Sequence, residues 1–328
     1  MNALKKISKL LSKNTSVFVI AVAIVTFFIP ELFTWVRGTN QTIILGIIMF
    51  GMGLTLTTKD FKILAQRPLD IFIGALAQYT VMPLLAYTVG TLLGLPNEIK
   101  IGLVLVGCCP GGVSSNIMSF LCKGDVPFSV GMTTASTLLS PILTPVLVLF
   151  LAGAQIEVNA IGMFKSIIQS VIIPIVIGFT LNYFFGEKKE FKDIQEVMPG
   201  VSVTGLAFIV GGVISLQGQN FFKSGVLIFI AVLLHNGLGY LLGYGVGVLT
   251  KMSTAKKRTI SIEVGMQNAG LATNLATAHF AATPQAAVAC AVSCVWHSIS
   301  GTILAGLYAK FDEKKDKNQI SDIEAISE

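Results

Sequence analysis

Residues 106–116 read Val106-Gly107-Cys108-Cys109-Pro110-Gly111-Gly112-Val113-Ser114-Ser115-Asn116, and residues 264–274 read Val264-Gly265-Met266-Gln267-Asn268-Ala269-Gly270-Leu271-Ala272-Thr273-Asn274. The two stretches align at an offset of 158 residues, at which Phe50 also meets Phe208, Gly53 meets Gly211 and Gln78 meets Asn236. One offset held across separate regions marks an internal duplication. Each stretch lies in the middle of an apolar run. Pro110 has no N–H and Gly111-Gly112 lifts side-chain restraint, so the helix is expected to unwind there. Asn268-Ala269-Gly270 loosens the second copy in the same place. A proline kink in a packed helix would explain either break alone, but two equivalent breaks rich in Ser, Thr, Asn and Gln argue for a site. Unwound backbone at membrane depth survives only inside protein or beside a wet cavity. It offers carbonyls to a cation and half-helix N-termini to an anion.

The rest of the chain supplies the membrane. Of its 328 residues 53% are hydrophobic and only 12% charged, with a mean hydropathy of +0.77. A soluble domain carries about 25% charged residues, so an ordinary cytosolic enzyme, a disordered chain and a collagen-like fibre are excluded. Ten apolar runs are long enough to span a bilayer: about 15–35, 41–57, 70–94, 99–121, 127–153, 161–185, 198–217, 223–249, 257–279 and 284–309. The first follows Lys5, Lys6, Lys9 and Lys13 without an A-x-A-like cleavage site, so it reads as a retained helix. Five spans per copy is an odd number, so the second copy must cross in the opposite sense. The expected fold is all-α and polytopic: ten transmembrane helices in two inverted five-helix repeats. The segments are 1–14 (cytoplasmic), 15–153 (first repeat), 154–309 (second repeat) and 310–328 (a charged cytoplasmic tail, expected to be disordered).

Of the 23 Lys and Arg residues, only Arg37, Lys100, Lys165 and Lys223 fall in the segments on one side of this arrangement. That bias places both termini in the cytoplasm of a multi-pass cytoplasmic (inner) membrane protein. It also explains the net charge of +6 without nucleic acid. The five cysteines lie in apolar runs with no CxxC pair and read as buried packing residues, Cys108-Cys109 being the one pair of note. Three histidines without ligand spacing make a transition-metal site improbable. No GxxxxGK[ST] loop, acid cluster or nucleophile with its base suggests an enzyme or an ATP site.

Glu263 is the only acid deep within a span. A charge at the bilayer centre costs about 2.5–3.5 kcal/mol on insertion scales, and no intramembrane Lys or Arg is available to offset it. A bound cation, a proton, or water reached from the cytoplasmic end would each answer. Neutral oxygens gather in matching places: Ser115 and Asn116 after the first break, Ser129 and Thr133 at i, i+4 on one helix face, Gln78 mid-span, and Gln267 beside the second break. One carboxylate with many neutral oxygens suits a hard, weakly charged ion.

The run from Gly107 to Gly112, then Ser115-Asn116, and later Glu263-Val264-Gly265-Met266-Gln267-Asn268, resembles the bile acid:sodium symporter family in its bacterial branch, over about residues 15–309. The resemblance implies a core domain (spans 3–5 and 8–10), a panel domain (spans 1, 2, 6 and 7), and two sodium ions behind a substrate cavity between them. The first sodium site would use Ser115, Asn116, Ser129, Thr133 and Glu263. The second would use Gln78, Glu263, Gln267 and the carbonyls of Val264 and Met266. Substrate contacts would be Val113, Ser114, Asn268 and His297, with Val113 standing where some bacterial relatives have threonine. The expected activity is sodium-coupled symport of a small organic anion, a bile acid or a pantoate-like carboxylate, by alternating access, with no organic cofactor and as a monomer in the lipid bilayer. The alternative is a proton-coupled or uncoupled exporter of organic anions or metabolites with a related fold.

Overall fold

The apolar runs become helices, and among the described residues the secondary structure is helical apart from one isolated antiparallel bridge. The computed structural model describes residues 1–327, with side chains at 1–218, 225–308 and 311. In chain order the α-helices are α1 (Asn2–Lys13), α2 (Thr15–Phe28), α3 (Thr39–Thr55), α4 (Thr58–Gln66), α5 (Pro68–Leu92), α6 (Asn97–Cys108) and α7 (Ser115–Leu121). Then come α8 (Val126–Ala152), α9 (Ala160–Ile167) running through a π-helical turn into α10 (Ile173–Phe185), α11 (Lys189–Leu249), α12 (Thr254–Gly265), α13 (Ala269–His279) and α14 (Pro284–Ser327). Among the described residues, six helical stretches are individually long and apolar enough to cross a membrane: Pro68–Leu92, Val126–Ala152, Ala160–Phe185, Lys189–Gly218, Gly225–Leu249 and Pro284–Tyr308. The protein is therefore an all-α polytopic membrane protein.

Local chemistry explains where the helices begin. Pro68 opens α5 with Asp70 in its first turn, a pairing that needs no N–H from proline and suits the helix dipole. Asp125 starts α8 by accepting the Phe128 N–H at 3.1 Å, and Asn159 starts α9 by accepting the Gly162 N–H at 2.8 Å. Thr144, on α8, donates to the Cys108 carbonyl at 2.7 Å and so satisfies the open end of α6. All five cysteines are buried, and none is in a disulfide.

Four expectations need correction. The first span stops at Phe28 rather than running to residue 35, because Pro30 biases Ile29 away from the helical region. The lysine-rich segment before it is itself a helix, α1, bent 85° from α2. Lys5 pairs with Asp193 at 2.5 Å and Glu196 at 3.0 Å, and Ser8 accepts the Gly200 N–H at 3.0 Å, which holds α1 against α11. The stretches 198–217 and 223–249 are not separated by a loop but lie on the 61-residue α11. Its two apolar stretches, Lys189–Gly218 and Gly225–Leu249, are each long and apolar enough to cross a membrane. The tail is helical as a continuation of α14 through Ser327, since it contains neither Gly nor Pro. Lys100 is not a loop residue: it is 7% exposed, with its ammonium 4.0 Å above the Tyr87 ring. Lys223 and the lysines of the tail lie outside the described side chains.

α3 lies against α10 and α11, and α2 against α11, whereas α5, α6 and α8 pack mutually and α14 packs on α6 and α13. α12 packs against the later part of α11, where a Cβ at Gly265 would come within 2.2 Å of the Tyr240 ring.

Candidate functional site

The two predicted breaks meet. α6 ends at Cys108 and α12 at Gly265, and the extended pieces that follow cross antiparallel, with Gly111 bridged to Gln267. The Gly112 N–H donates to the Met266 carbonyl at 2.8 Å, and the Asn268 N–H donates to the Pro110 carbonyl at 2.8 Å. These bonds satisfy backbone groups that have no helical partner. Glycine is required here by space. A Cβ on Gly112 would lie 2.8 Å from the Gln267 carbonyl oxygen, and one on Gly111 would lie 3.0 Å from Glu263 Oε2.

Glu263, in the last turn of α12, sits directly behind this crossing and is 1% exposed, so bulk solvent does not reach it. Its Oε1 accepts from Ser115 at 2.5 Å and also from Ser129, and its Oε2 accepts from Thr133 at 2.8 Å. Asn116 Oδ1 closes the group, 2.8 Å from the Ser129 hydroxyl oxygen and 3.4 Å from that of Thr133. The fold thus brings Ser115 and Asn116 of α7, Ser129 and Thr133 of α8, and Glu263 of α12 into one oxygen cluster. Among the described residues Glu263 has no salt-bridge partner. Arg258, on the same helix, instead donates to the Cys122 carbonyl at 2.9 Å and lies by the Tyr308 ring.

A second polar cluster lies across the Gly111 strand. Gln78 Nε2 donates to the Cys109 carbonyl at 3.2 Å and to Gln267 Oε1, and Gln267 Nε2 donates to the Val264 carbonyl. The Met266 carbonyl already accepts from Gly112, and the hydrogen bonds of Glu263 all go to the first cluster. Gln78, Gln267 and Val264 are therefore joined, whereas Glu263 and Met266 are engaged elsewhere.

In front of the crossing is a cavity of about 390 Å³. Val113, Ser114, Asn268 and His297 all line it. Asn268 Oδ1 caps α13 by accepting the Leu271 N–H at 3.0 Å. His297 Nδ1 is 3.4 Å from the Gln267 carbonyl, while its Nε2 is buried without a partner. The opposite wall belongs to α3 and α11, through Leu45, Met49, Met52, Met198, Ser202 and Leu206. Sequence reasoning missed this wall, because apolar residues at helical spacing look the same whether they face a cavity, lipid or a neighbour. It also missed Ser119 and Ser136, which bond Ser129 (3.0 Å) and the Gly111 N–H (3.2 Å). Asn236, at the position equivalent to Gln78, donates to the Gly265 carbonyl at 2.7 Å; the repeat offset was the available signal.

Crossed broken helices, a buried carboxylate among neutral hydroxyls and an adjoining cavity define a membrane transporter rather than a channel lined by charge. The chain belongs to the sodium bile acid symporter family, whose profile matches residues 42–224. It is 46% identical over 315 residues to the sodium-dependent transporter YocS of Bacillus subtilis (strain 168), covering 96% of this chain and 97% of that one. It is 43% identical over 286 residues to a chloroplastic protein of Arabidopsis thaliana described as a sodium/metabolite cotransporter, covering 87% of this chain and 71% of that one. A rice protein of the same description is 37% identical over 316 residues, covering 96% of this chain and 77% of that one. The protein is thus a multi-pass member of a sodium-dependent transporter family.

Proposed function

We propose that the protein is a sodium-coupled symporter that imports a small organic anion across the cell membrane. The observation that carries this reading is the Glu263 cluster: a buried carboxylate with three hydroxyl donors and, among the described residues, no salt-bridge partner. A carboxylate in that position needs a positive partner, and hydroxyl and amide oxygens are ligands for an alkali ion. Sodium is here a transported substrate. One ion would sit at Ser115, Asn116, Ser129, Thr133 and Glu263. A second would sit near Gln78, Gln267 and the Val264 and Met266 carbonyls, with Glu263 supplying charge from across the Gly111 strand.

The offset of the two breaks and their meeting at equivalent residues support two inverted five-helix repeats, ten spans in all, with α6–α7 and α12–α13 each counted as one broken span. The packing of α2, α3, α10 and the first part of α11 supports a panel, and that of the remaining helices a core. Sodium binding ties the broken helices together and fixes the N-terminal ends of α7 and α13 toward the cavity, where Ser114, Asn268 and His297 meet a carboxylate or sulfonate. The core then moves against the panel. Two sodium ions moving inward down a tenfold gradient at about 100 mV release about 7 kcal/mol, and a monovalent anion takes back about 2 kcal/mol. The remainder is sufficient for accumulation without ATP.

The test is a thermal-shift screen of organic anions with sodium or choline, followed by uptake of any sodium-dependent hit into liposomes. Stabilisation and uptake that require sodium are expected. Uptake that persists in choline and collapses with the proton gradient would make the protein a proton-coupled carrier instead.

A further inference from the structure

A second, smaller cavity of about 190 Å³ lies at the start of α3, the end remote from Thr55 and Leu56 in the central cavity. Its polar groups come from Arg37, Gln41, Gln217 and Thr277, and no acidic residue lines it. The two cavities are close neighbours on three helices. Leu45 lines the central cavity and Gln41 the smaller one; on α11 the corresponding residues are Leu206 and Gly212, and on α13 they are Gly270 and Ala276. Those separations amount to about 6–9 Å of helix. Between them stand the buried Ile209, Leu271 and Leu275 and a hydrogen bond of 3.1 Å from Thr42 to Asn274. The smaller cavity is therefore the far side of a thin plug that closes the path between α3, α11 and α13.

Its chemistry favours an anion. Arg37 is exposed and has no carboxylate partner among the described residues. α3 begins after Gly38 with no side chain capping its first N–H groups, and although the Asn40 N–H donates back to the Arg37 carbonyl at 3.2 Å, the positive end of its dipole has no acidic cap. Gln41 is 2% exposed. Its Oε1 accepts from Thr277 at 3.2 Å, but its Nε2 is buried with no acceptor. A buried donor in that state is unfavourable until an acceptor arrives, and an arginine fork matches the two oxygens of a carboxylate.

We infer that this cavity is a carboxylate-binding vestibule, with Arg37 and Gln41 as its ligands, in which the organic anion waits on the outer side of the plug. The waiting role rests on the symport reading, whereas the binding itself does not. Benzoate, as its choline salt, is the probe, followed by saturation-transfer NMR on the purified full chain in sodium-free buffer. Saturable binding is expected in the wild type and in Glu263→Ala. It is expected to be about tenfold weaker in Arg37→Gln, as for loss of one charge-assisted contact, and only partly restored in Arg37→Lys, which keeps the charge but loses the fork. Gln41→Leu is expected to lose affinity while melting no lower than the wild type, because it removes an unsatisfied donor; a merely structural role predicts a lower melting temperature. No benzoate binding in the wild type, unchanged affinity in Arg37→Gln, binding lost in Glu263→Ala alone, or displacement by chloride at equal concentration would overturn the assignment. Sodium-independent uptake alongside the expected benzoate results would instead remove the symport reading and leave the site standing.

Discussion

Asn268 and Pro110 face each other where the broken helices cross, the amide N–H of Asn268 donating to the Pro110 carbonyl at 2.8 Å. They are also the residues that the internal offset equates, so the crossing joins each copy of the duplication to its counterpart. Glu263 lies behind this contact and the cavity in front of it. Anything that binds on one side is therefore connected to the other through a few backbone hydrogen bonds.

Replacing Glu263 by Ala should leave the protein inserted but abolish its sodium response. A ligand at a hundred times its Kd stabilises the folded state by about 2.7 kcal/mol, and this sodium-dependent gain is expected to vanish from melting curves. A normal sodium response in the variant would remove Glu263 from the site.

Gln78→Ala should weaken apparent sodium affinity by about three- to tenfold, the equivalent of one net hydrogen bond, and lower the Hill coefficient toward one. Gln78 spans the Cys109 carbonyl and the Gln267 side chain, so its loss frees the second cluster while leaving the first intact. Sodium titration of anion uptake measures both quantities.

Gly112→Val should destabilise the protein by about 1–3 kcal/mol through overpacking, because its Cβ would meet the rigid Gln267 carbonyl oxygen at 2.8 Å. Gly306→Ala, with nothing within 4 Å of the added carbon, serves as the neutral control. Thermal melting of the two variants should separate them clearly.

Acidification should weaken sodium binding. A proton on Glu263 removes the charge that the cation neutralises, so the apparent sodium affinity is expected to fall as pH falls and to recover as it rises. Sodium-dependent thermal shifts measured across pH report the sign directly; a response independent of pH would show that the ion does not share this carboxylate.

The positions of both breaks, the isolation of Glu263 and the oxygen-rich residues around it were legible because each depends on covalent features of a short segment. Pro110 lacks a donor, Gly111 and Gly112 lack a Cβ, and Ser129 and Thr133 share a face by helical periodicity alone. The division of labour between the clusters was not legible: only the path of the Gly111 strand places Glu263 with Ser115, Ser129 and Thr133 and leaves Gln78 with Gln267. The same holds for α1, whose 85° bend is supported by Lys5 and Ser8 gripping α11, a partner far away in the chain.

By itself, then, the chain's sequence determined a membrane-embedded helical protein with two breaks and a buried acid, since hydropathy, missing donors and missing side chains act over one or two helical turns. Only the tertiary structure decided which apolar faces of α3 and α11 line a cavity, and that Arg37 and Gln41 share a second one behind a plug of Ile209, Leu271 and Leu275. Such assignments follow from how distant helices pack, and an apolar or amide side chain carries no local mark of the neighbour it will meet.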